Sequence, residues 1–457
     1  MLLLESGGLE FEDDTQKLYA GTKTGNVNYL ELDGSRLRML GGASNHWGGW
    51  TRPLDPSDFE KREWLPFSGW PIPYGELARY FPHAQQMIEA GLPLFDGLHH
   101  EDRFGPKVTL GPGGVYESWF QFSKTKGGDL PTPFGKRYAD QLKQQQNLQV
   151  MLHANVTGLR LAANGAALDH LDVATLGGNK FTVKPQHAVL ACGAIENARI
   201  LLASNDVMKT GIGNGGDMVG RFFADHAIPR DTATLVLFNG KIPAYWKTTI
   251  DMQGVHARAT FSPTEQFKAD HKLLGSLTTV ENHIDFDTLG RAAVDVTASA
   301  LGVNSAHAKG WSMGCGIELA PDPDRRVMLT GDRDALGMPR VKLDMRISNA
   351  DFERYRLTMR ELGRQLLESK TGLVRLNRST RAEWLASMDW GNHHLGTTRM
   401  SVDPQFGVVD PNSKVNGVAN LFVAGSSVFP TYGSSNPTMN LVALTLRLAD
   451  FLKGLFG

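Results

Sequence analysis

Three short apolar runs, each closed by glycine, lie far apart in this chain: LLLESGG near the start, HAVLACGAIENARILLAS at 187–204, and NLFVAGSSVFP at 420–430. An apolar run that stops at a glycine turn is the pattern of a strand buried on both faces. After ACGA, the residues Ile195, Ala198, Leu201 and Leu202 line one face of a helix. After the last run, Asn436 and Pro437 begin a helix that carries Leu441, Leu444, Leu448 and Leu452 on one side. Strand–turn–helix units of this kind feed nucleotide sites, so the nucleotide-binding part is expected to be assembled from separated pieces.

Between them, roughly 227–390, short β-like runs such as TATLVLF and RVMLTG alternate with polar loops, and one strong helix spans about 350 to 370. This stretch reads as a second domain on an antiparallel sheet. The expected fold is α/β, a Rossmann-like domain interleaved with an α+β substrate domain. The first takes 1–100, 145–226 and 391–457; the second takes 101–144 and 227–390. With 457 residues, two domains are the default.

The 47 Lys plus Arg nearly balance the 48 Asp plus Glu, and no run of like charge marks a nucleic-acid or membrane surface. A small uncharged partner is expected. Two cysteines, Cys192 and Cys315, exclude a disulfide framework and the common Cys-rich metal sites. No apolar stretch reaches the length of a transmembrane helix, and MLLLES lacks the basic flank of a signal peptide. The chain as written reads as cytoplasmic, or periplasmic if an upstream export signal or a partner subunit exists.

Glu5 ends the first run. In a dinucleotide-binding unit an acid at such a strand tip holds the ribose hydroxyls, about 20 residues after a G-x-G-x-x-G phosphate loop. Four residues precede Glu5, so the expectation is a nucleotide domain truncated at its N-terminus, without the glycine loop. GIGNGG at 211–216 matches the pattern, but no strand leads into it, and it reads as a flexible surface turn. His99, His100, Glu101 and Asp102 are contiguous in a loop setting and read as solvated residues, so no metal site is expected.

Three stretches carry a resemblance: RMLGGASNHWGGWTRPLDPSDF, the pair ACGAIENARILLAS and DMVGRFFADH, and NHHLGTTRM running on to NPTMNLVALTLRLADFL. Together they resemble the glucose-methanol-choline (GMC) family of FAD-dependent oxidoreductases. In detail they look most like its branch acting on sugars, polyols and glycosides, which includes pyranose oxidases and fructose or gluconate dehydrogenases. The resemblance implies FAD as cofactor and oxidation of a substrate alcohol, with hydride passing to flavin N5.

Alcohol oxidation also needs a base for the hydroxyl proton. His393, in HHLGT, occupies the position of the family's catalytic histidine, and its neighbour His394 is expected to point elsewhere. Asn436 matches the position of a second histidine or asparagine that binds the substrate oxygen; as the residue before Pro437 it is equally an N-cap. The helix that Pro437 and Thr438 open would aim its positive end at the reduced flavin.

The resemblance places Gly41, Gly42, Asn45, His46, Trp47 and Gly48 against the flavin, His46 where some members carry a covalent link to FAD. It sets Gly193, Gly425 and Ser426 at turns near the cofactor, and Val156 where backbone meets the adenine. His226, in FADH, reads as structural. Trp119, Phe120 and Gln121 read either as a sugar-stacking wall or as a core cluster.

The electron acceptor implied is oxygen, a quinone, or a cytochrome reached through a small subunit. The rival expectation is an inactive or FAD-deficient fragment of such an enzyme, its first βα unit missing. On that ground the chain as written is expected to bind FAD more weakly than one extended upstream by about 25 to 30 residues.

Overall fold

The computed structural model describes residues 1–91, 108–124, 131–252 and 255–456. The three glycine-ended runs become the strands Leu2–Leu4, Ala188–Leu190 and Leu421–Val423. Leu2–Leu4 pairs in parallel with Gln149–Met151, and Leu421–Val423 pairs in parallel with Ala188–Leu190.

Burial on both faces holds for Leu421–Val423 but not for the other two, where Leu3 is 37% and Val189 42% exposed. Among the described residues the two pairs form separate two-stranded sheets. So narrow a sheet gives flanking layers little surface to cover.

Behind Ala188–Leu190 runs the helix Ala194–Ala203, fixed by charge as well as by its apolar face. Glu196 in its first turn is buried between Arg36, Arg38 and Arg199 at 3.4, 3.5 and 3.4 Å. Burial alone would raise this carboxyl, but the three guanidiniums outweigh it and hold the group below its ordinary range. Arg199 also reaches Asp334 at 2.6 Å, tying the helix to the middle of the chain.

Among the described residues the middle forms a ten-stranded sheet whose main path runs Gly372–Leu376, Ala233–Leu237, Lys309–Ile317, Ser276–Ile284, Val255–Pro263, Val115–Phe122 and Trp50–Thr51. Its pairings are antiparallel, as the alternation of short runs predicts. The helix Asn349–Glu368 packs on it, started by a capping box between Ser348 and Asp351.

Sheets cross the expected domain boundaries. Trp50–Thr51, from the cofactor part, extends the large sheet. Thr22–Gly25, also from that part, pairs in parallel with Pro339–Met345, which is antiparallel to Arg326–Arg333. The expected boundary at 100/101 lies outside the described residues.

One expectation is corrected and one pair of alternatives is decided. GIGNGG is not a flexible surface turn: Gly211 to Asn214 are buried, and Ile212 N donates to Leu201 O at 3.0 Å. An added Cβ on Gly211 would meet Leu201 O at 2.9 Å, so glycine serves close packing beneath a helix. Trp119, Phe120 and Gln121 are buried within Val115–Phe122, with Trp119 packed on Tyr245 at 5.1 Å between centroids; they are core, not wall.

Candidate active site

Asp225 and His226 immediately precede the strand Ala227–Pro229, and His393 follows the strand Met388–Trp390. These strands are antiparallel neighbours, with Ala227 opposite Trp390, and Gly391 N donates to His226 O at 2.9 Å. Asn392 then takes a left-handed turn at φ 57°, a conformation asparagine tolerates better than most residues. The turn brings His393 N onto Asp225 Oδ1 at 2.8 Å and sets the two imidazoles edge to face, Nδ1 to Nδ1 at 2.9 Å.

His393 has a second neighbour. Its Nε2 lies 3.1 Å from Asn436 Nδ2, and both side chains are partly exposed where the large sheet meets the final helix. That helix, Pro437–Phe456, is anchored through its first turn: Asn440 accepts from Leu54 N at 2.9 Å and donates to Arg52 O at 3.2 Å. Ser435 Oγ adds a bond to Pro53 O at 2.7 Å. The stretch PLDPSDF thus positions Asn436 from below.

Burial, and after it the neighbouring His226 and His394, hold the His393 imidazole well below its ordinary pKa of 6.5. It is neutral at neutral pH and has one lone pair to offer. His226 is pushed down to about 4 by burial, and its Nε2 lies 2.9 Å from Gly433 O. Burial raises Asp225 to about 7; its Oδ2 accepts the Tyr29 hydroxyl at 2.6 Å.

His394 does point elsewhere. It is buried between Tyr29 and Phe223, pushed down to about 3 by burial, while its carbonyl accepts Ser426 Oγ at 2.7 Å.

The turns after the paired strands remain open. Gly193 (φ 80°) and Gly425 (φ 104°) have no atom within 4 Å of where a side chain would begin. They stand at the carboxyl ends of parallel strands, where nucleotide ligands sit in α/β sheets. A buried network joins them: Asn197 accepts from Cys192 N at 3.0 Å and donates to Ser427 Oγ at 3.0 Å, which meets Thr398 Oγ1 at 2.7 Å. These open glycine turns, tied to the His393 segment by Ser426 Oγ on His394 O and Thr397 Oγ1 on Ala194 O, fit a flat, phosphate-bearing group such as FAD. Pro437 is buried and Thr438 partly exposed at the same helix start.

The remaining sequence-predicted residues are more scattered. Glu5 Oε1 accepts Gly7 N at 2.8 Å and Ser6 Oγ at 3.3 Å, closing the turn after its strand. Val156, partly buried, pairs with Val173. In the GGASNHWGG loop, an added Cβ on Gly41 would fall 2.3 Å from Gly135 N, so that glycine makes room for the chain itself. Gly42 (φ 52°) opens the 3-10 turn Gly42–Asn45, Asn45 bonds Leu40 O and Gly42 O at 2.9 and 3.0 Å, and Trp47 Nε1 reaches Thr132 O at 3.0 Å. His46 and Gly48 are exposed. Among the described residues no cluster of His, Cys, Asp or Glu could hold a metal ion, and positions 99–102 lie outside them.

Residues 321–445, which include His393 and Asn436, match the family described as GMC oxidoreductase. Over that stretch the chain resembles the GMC oxidoreductases. Across 274 residues it is 27% identical to the fructose dehydrogenase large subunit of Gluconobacter japonicus, covering 57% of this chain and 46% of that one. The chain therefore spans about half the length of that relative. The paromamine 6'-oxidase of Streptomyces fradiae is 24% identical over 458 residues, 91% of this chain and 78% of the relative.

Among solved structures, pyridoxine 4-oxidase from Mesorbium loti superposes with a TM-score of 0.59 at 18% identity, covering 99% of this chain and 94% of that one. The likeness in fold to that oxidase thus extends over nearly all of the chain. Sequence reasoning missed Asp225, Tyr29 and Gly433 and gave His226 only a structural place. The available signal was FADH itself, an Asp-His pair directly ahead of a strand, but nothing local reveals a partner 167 residues away.

Proposed function

We propose that this protein is a GMC oxidoreductase that oxidises an alcohol group of a sugar, polyol or glycoside using FAD. The observation that carries the proposal is the pairing of a neutral, partly exposed His393 with Asn436 at 3.1 Å, on a segment tied to two open glycine turns by Ser426 Oγ on His394 O at 2.7 Å and Thr397 Oγ1 on Ala194 O at 2.6 Å. The named relatives, a fructose dehydrogenase subunit and a paromamine oxidase, support the sugar-like substrate class.

Gly193, Gly425, Ser426, Pro437 and Thr438 would hold the cofactor, with Glu5 and Val156 at its adenosine end. Bound FAD supplies the two-electron acceptor that takes the hydride from the carbinol carbon. His393 Nε2 takes the hydroxyl proton, and Asn436 Nδ2 donates to the same oxygen as negative charge develops on it. The carbon loses a hydride and the oxygen a proton, leaving a carbonyl.

The test is anaerobic mixing of FAD-loaded protein with D-fructose, D-glucose and simple glycosides, read as bleaching of the yellow chromophore. Bleaching by at least one sugar, absent in H393A, is the expected result; no bleaching by any member would overturn the reading. Admitting air and assaying peroxide against dye reduction then separates an oxidase from a dehydrogenase. Colour kept on acid-denatured polypeptide but lost in H46A would place a covalent bond at His46, and a colourless pellet would exclude it.

A further inference from the structure

We infer that His226 is a positioning residue that fixes the His393 tautomer, keeping the proton on Nδ1 and leaving Nε2 bare as the basic atom. The inference rests on the proposed role of His393 for its consequence in catalysis, but on geometry alone for the tautomer.

The far end of the chain of contacts sets the proton positions. Gly433 O is a carbonyl and can only accept, so the His226 nitrogen 2.9 Å away, Nε2, must carry a hydrogen. A neutral imidazole has a single N–H, so His226 Nδ1 presents a lone pair. Burial keeps this ring neutral, its pKa being about 4. His226 Nδ1 stands 2.9 Å from His393 Nδ1, and two lone pairs at that separation would repel. His393 Nδ1 therefore carries the hydrogen and donates it. His393, neutral as well, is left with a bare Nε2, which suits the Asn436 amide donor at 3.1 Å.

Asn436 alone could not settle this, because its amide can present either face. The Gly433 carbonyl can, because it has no second face.

The scaffold holds the relay from several sides. His226 packs edge to face on Tyr432 at 4.8 Å between centroids, and the Tyr432 hydroxyl donates to Asp225 O at 3.1 Å. Glu318 fixes Tyr432 from behind, its Oε1 accepting Tyr432 N at 3.2 Å. Gly433 itself has φ 54° and Asp58 closely packed against it, so the carbonyl that anchors the relay sits on a backbone bend that favours glycine. A histidine assigned only to packing would need neither of its ring contacts.

The experiment uses 15N-histidine-labelled full-length protein without added FAD. The two ring nitrogens of His393, assigned by their loss in H393A, are read for which one is protonated. Wild type should show Nδ1 as the N–H nitrogen and Nε2 as the bare one. In H226L, which removes the acceptor, the Nδ1–H population should fall towards an even mixture. In H226N, whose side-chain oxygen can occupy the place of Nδ1, it should be restored.

With FAD and a sugar that bleaches it, H226L should lose about 10- to 100-fold in the rate of flavin reduction, by analogy with partners that orient a reactive imidazole. Most of that loss should return in H226N, with KM little changed throughout.

A wild-type spectrum with the proton on Nε2 overturns the inference without any variant, and so does a folded H226L with unchanged nitrogens. If no sugar bleaches the protein while the tautomer follows residue 226, the proposed function fails and this inference stands.

Discussion

The two halves of the candidate site are built differently. On one side, Asp225, His226 and His393 are fixed at the end of an extensive antiparallel sheet whose strands run to nine residues, with centres such as Met313 fully buried. On the other, Gly193 and Gly425 follow strands of three residues, paired two by two, with Leu3 and Val189 exposed. His393, the proposed base, is therefore held by packing within the chain, while the turns proposed to face the cofactor have no chain atom within 4 Å of where a side chain at Gly193 or Gly425 would begin. Damage to the first half should cost chemistry or stability; damage to the second should cost mainly cofactor affinity.

The largest expected effect is on chemistry. H393A should lower kcat/KM by about 10²- to 10⁴-fold with the thermal midpoint little changed, as removal of a general base does. Because burial and its histidine neighbours keep His393 neutral, the acid limb of the wild-type kcat/KM profile should lie below pH 6.5. A limb at or above that value would place the base elsewhere.

Next comes the sheet that carries the histidines. M313A should destabilise the protein by about 2–5 kcal/mol in denaturant unfolding, the range for truncating a fully buried core side chain. A loss under 1 kcal/mol would show that this sheet is not the rigid partner.

Asp225 gives a pH-resolved test. With its pKa raised from 3.8 to about 7, the folded chain keeps a proton through the interval in which the unfolded chain has released it. The folded state binds more protons there, so this group's contribution to stability declines as pH rises from about 4 to 7. D225N should therefore lose less stability than wild type between pH 5 and pH 7. Parallel curves would refute the shift.

Smaller effects complete the contrast. S348A, which removes the cap of the helix Asn349–Glu368, should cost about 1 kcal/mol. V189A, on the exposed cofactor-side strand, should change stability by less than about 0.5 kcal/mol. A loss as large as that of M313A would mean the short strands are as well supported as the large sheet.

Much of this was legible in sequence for physical reasons. A glycine ending an apolar run signals a turn wherever it occurs, so the three cofactor-side strands could be found locally, as could Asn349–Glu368 from its 3.6-residue pattern. HHLGT and NPTMN marked His393 and Asn436. What stayed hidden depends on pairing at a distance: which strand lies beside Met388–Trp390, and therefore which histidine faces His393. GIGNGG misled for a related reason, since glycine serves an exposed bend and a tight internal contact equally well. The burial of Trp119 and Phe120 was likewise a matter of which strands flank them, which aromatic content alone does not say.

The parallel ladder between Thr22–Gly25 and Pro339–Met345 has a consequence for biosynthesis. Asn26 bonds Ile347 O across 321 residues, so this early segment has no mate until that much more chain has been made. At about 5–20 residues per second, that is roughly 16–64 s during which an unmatched β edge is open to misassociation. Chaperone demand during synthesis should fall most heavily on that interval.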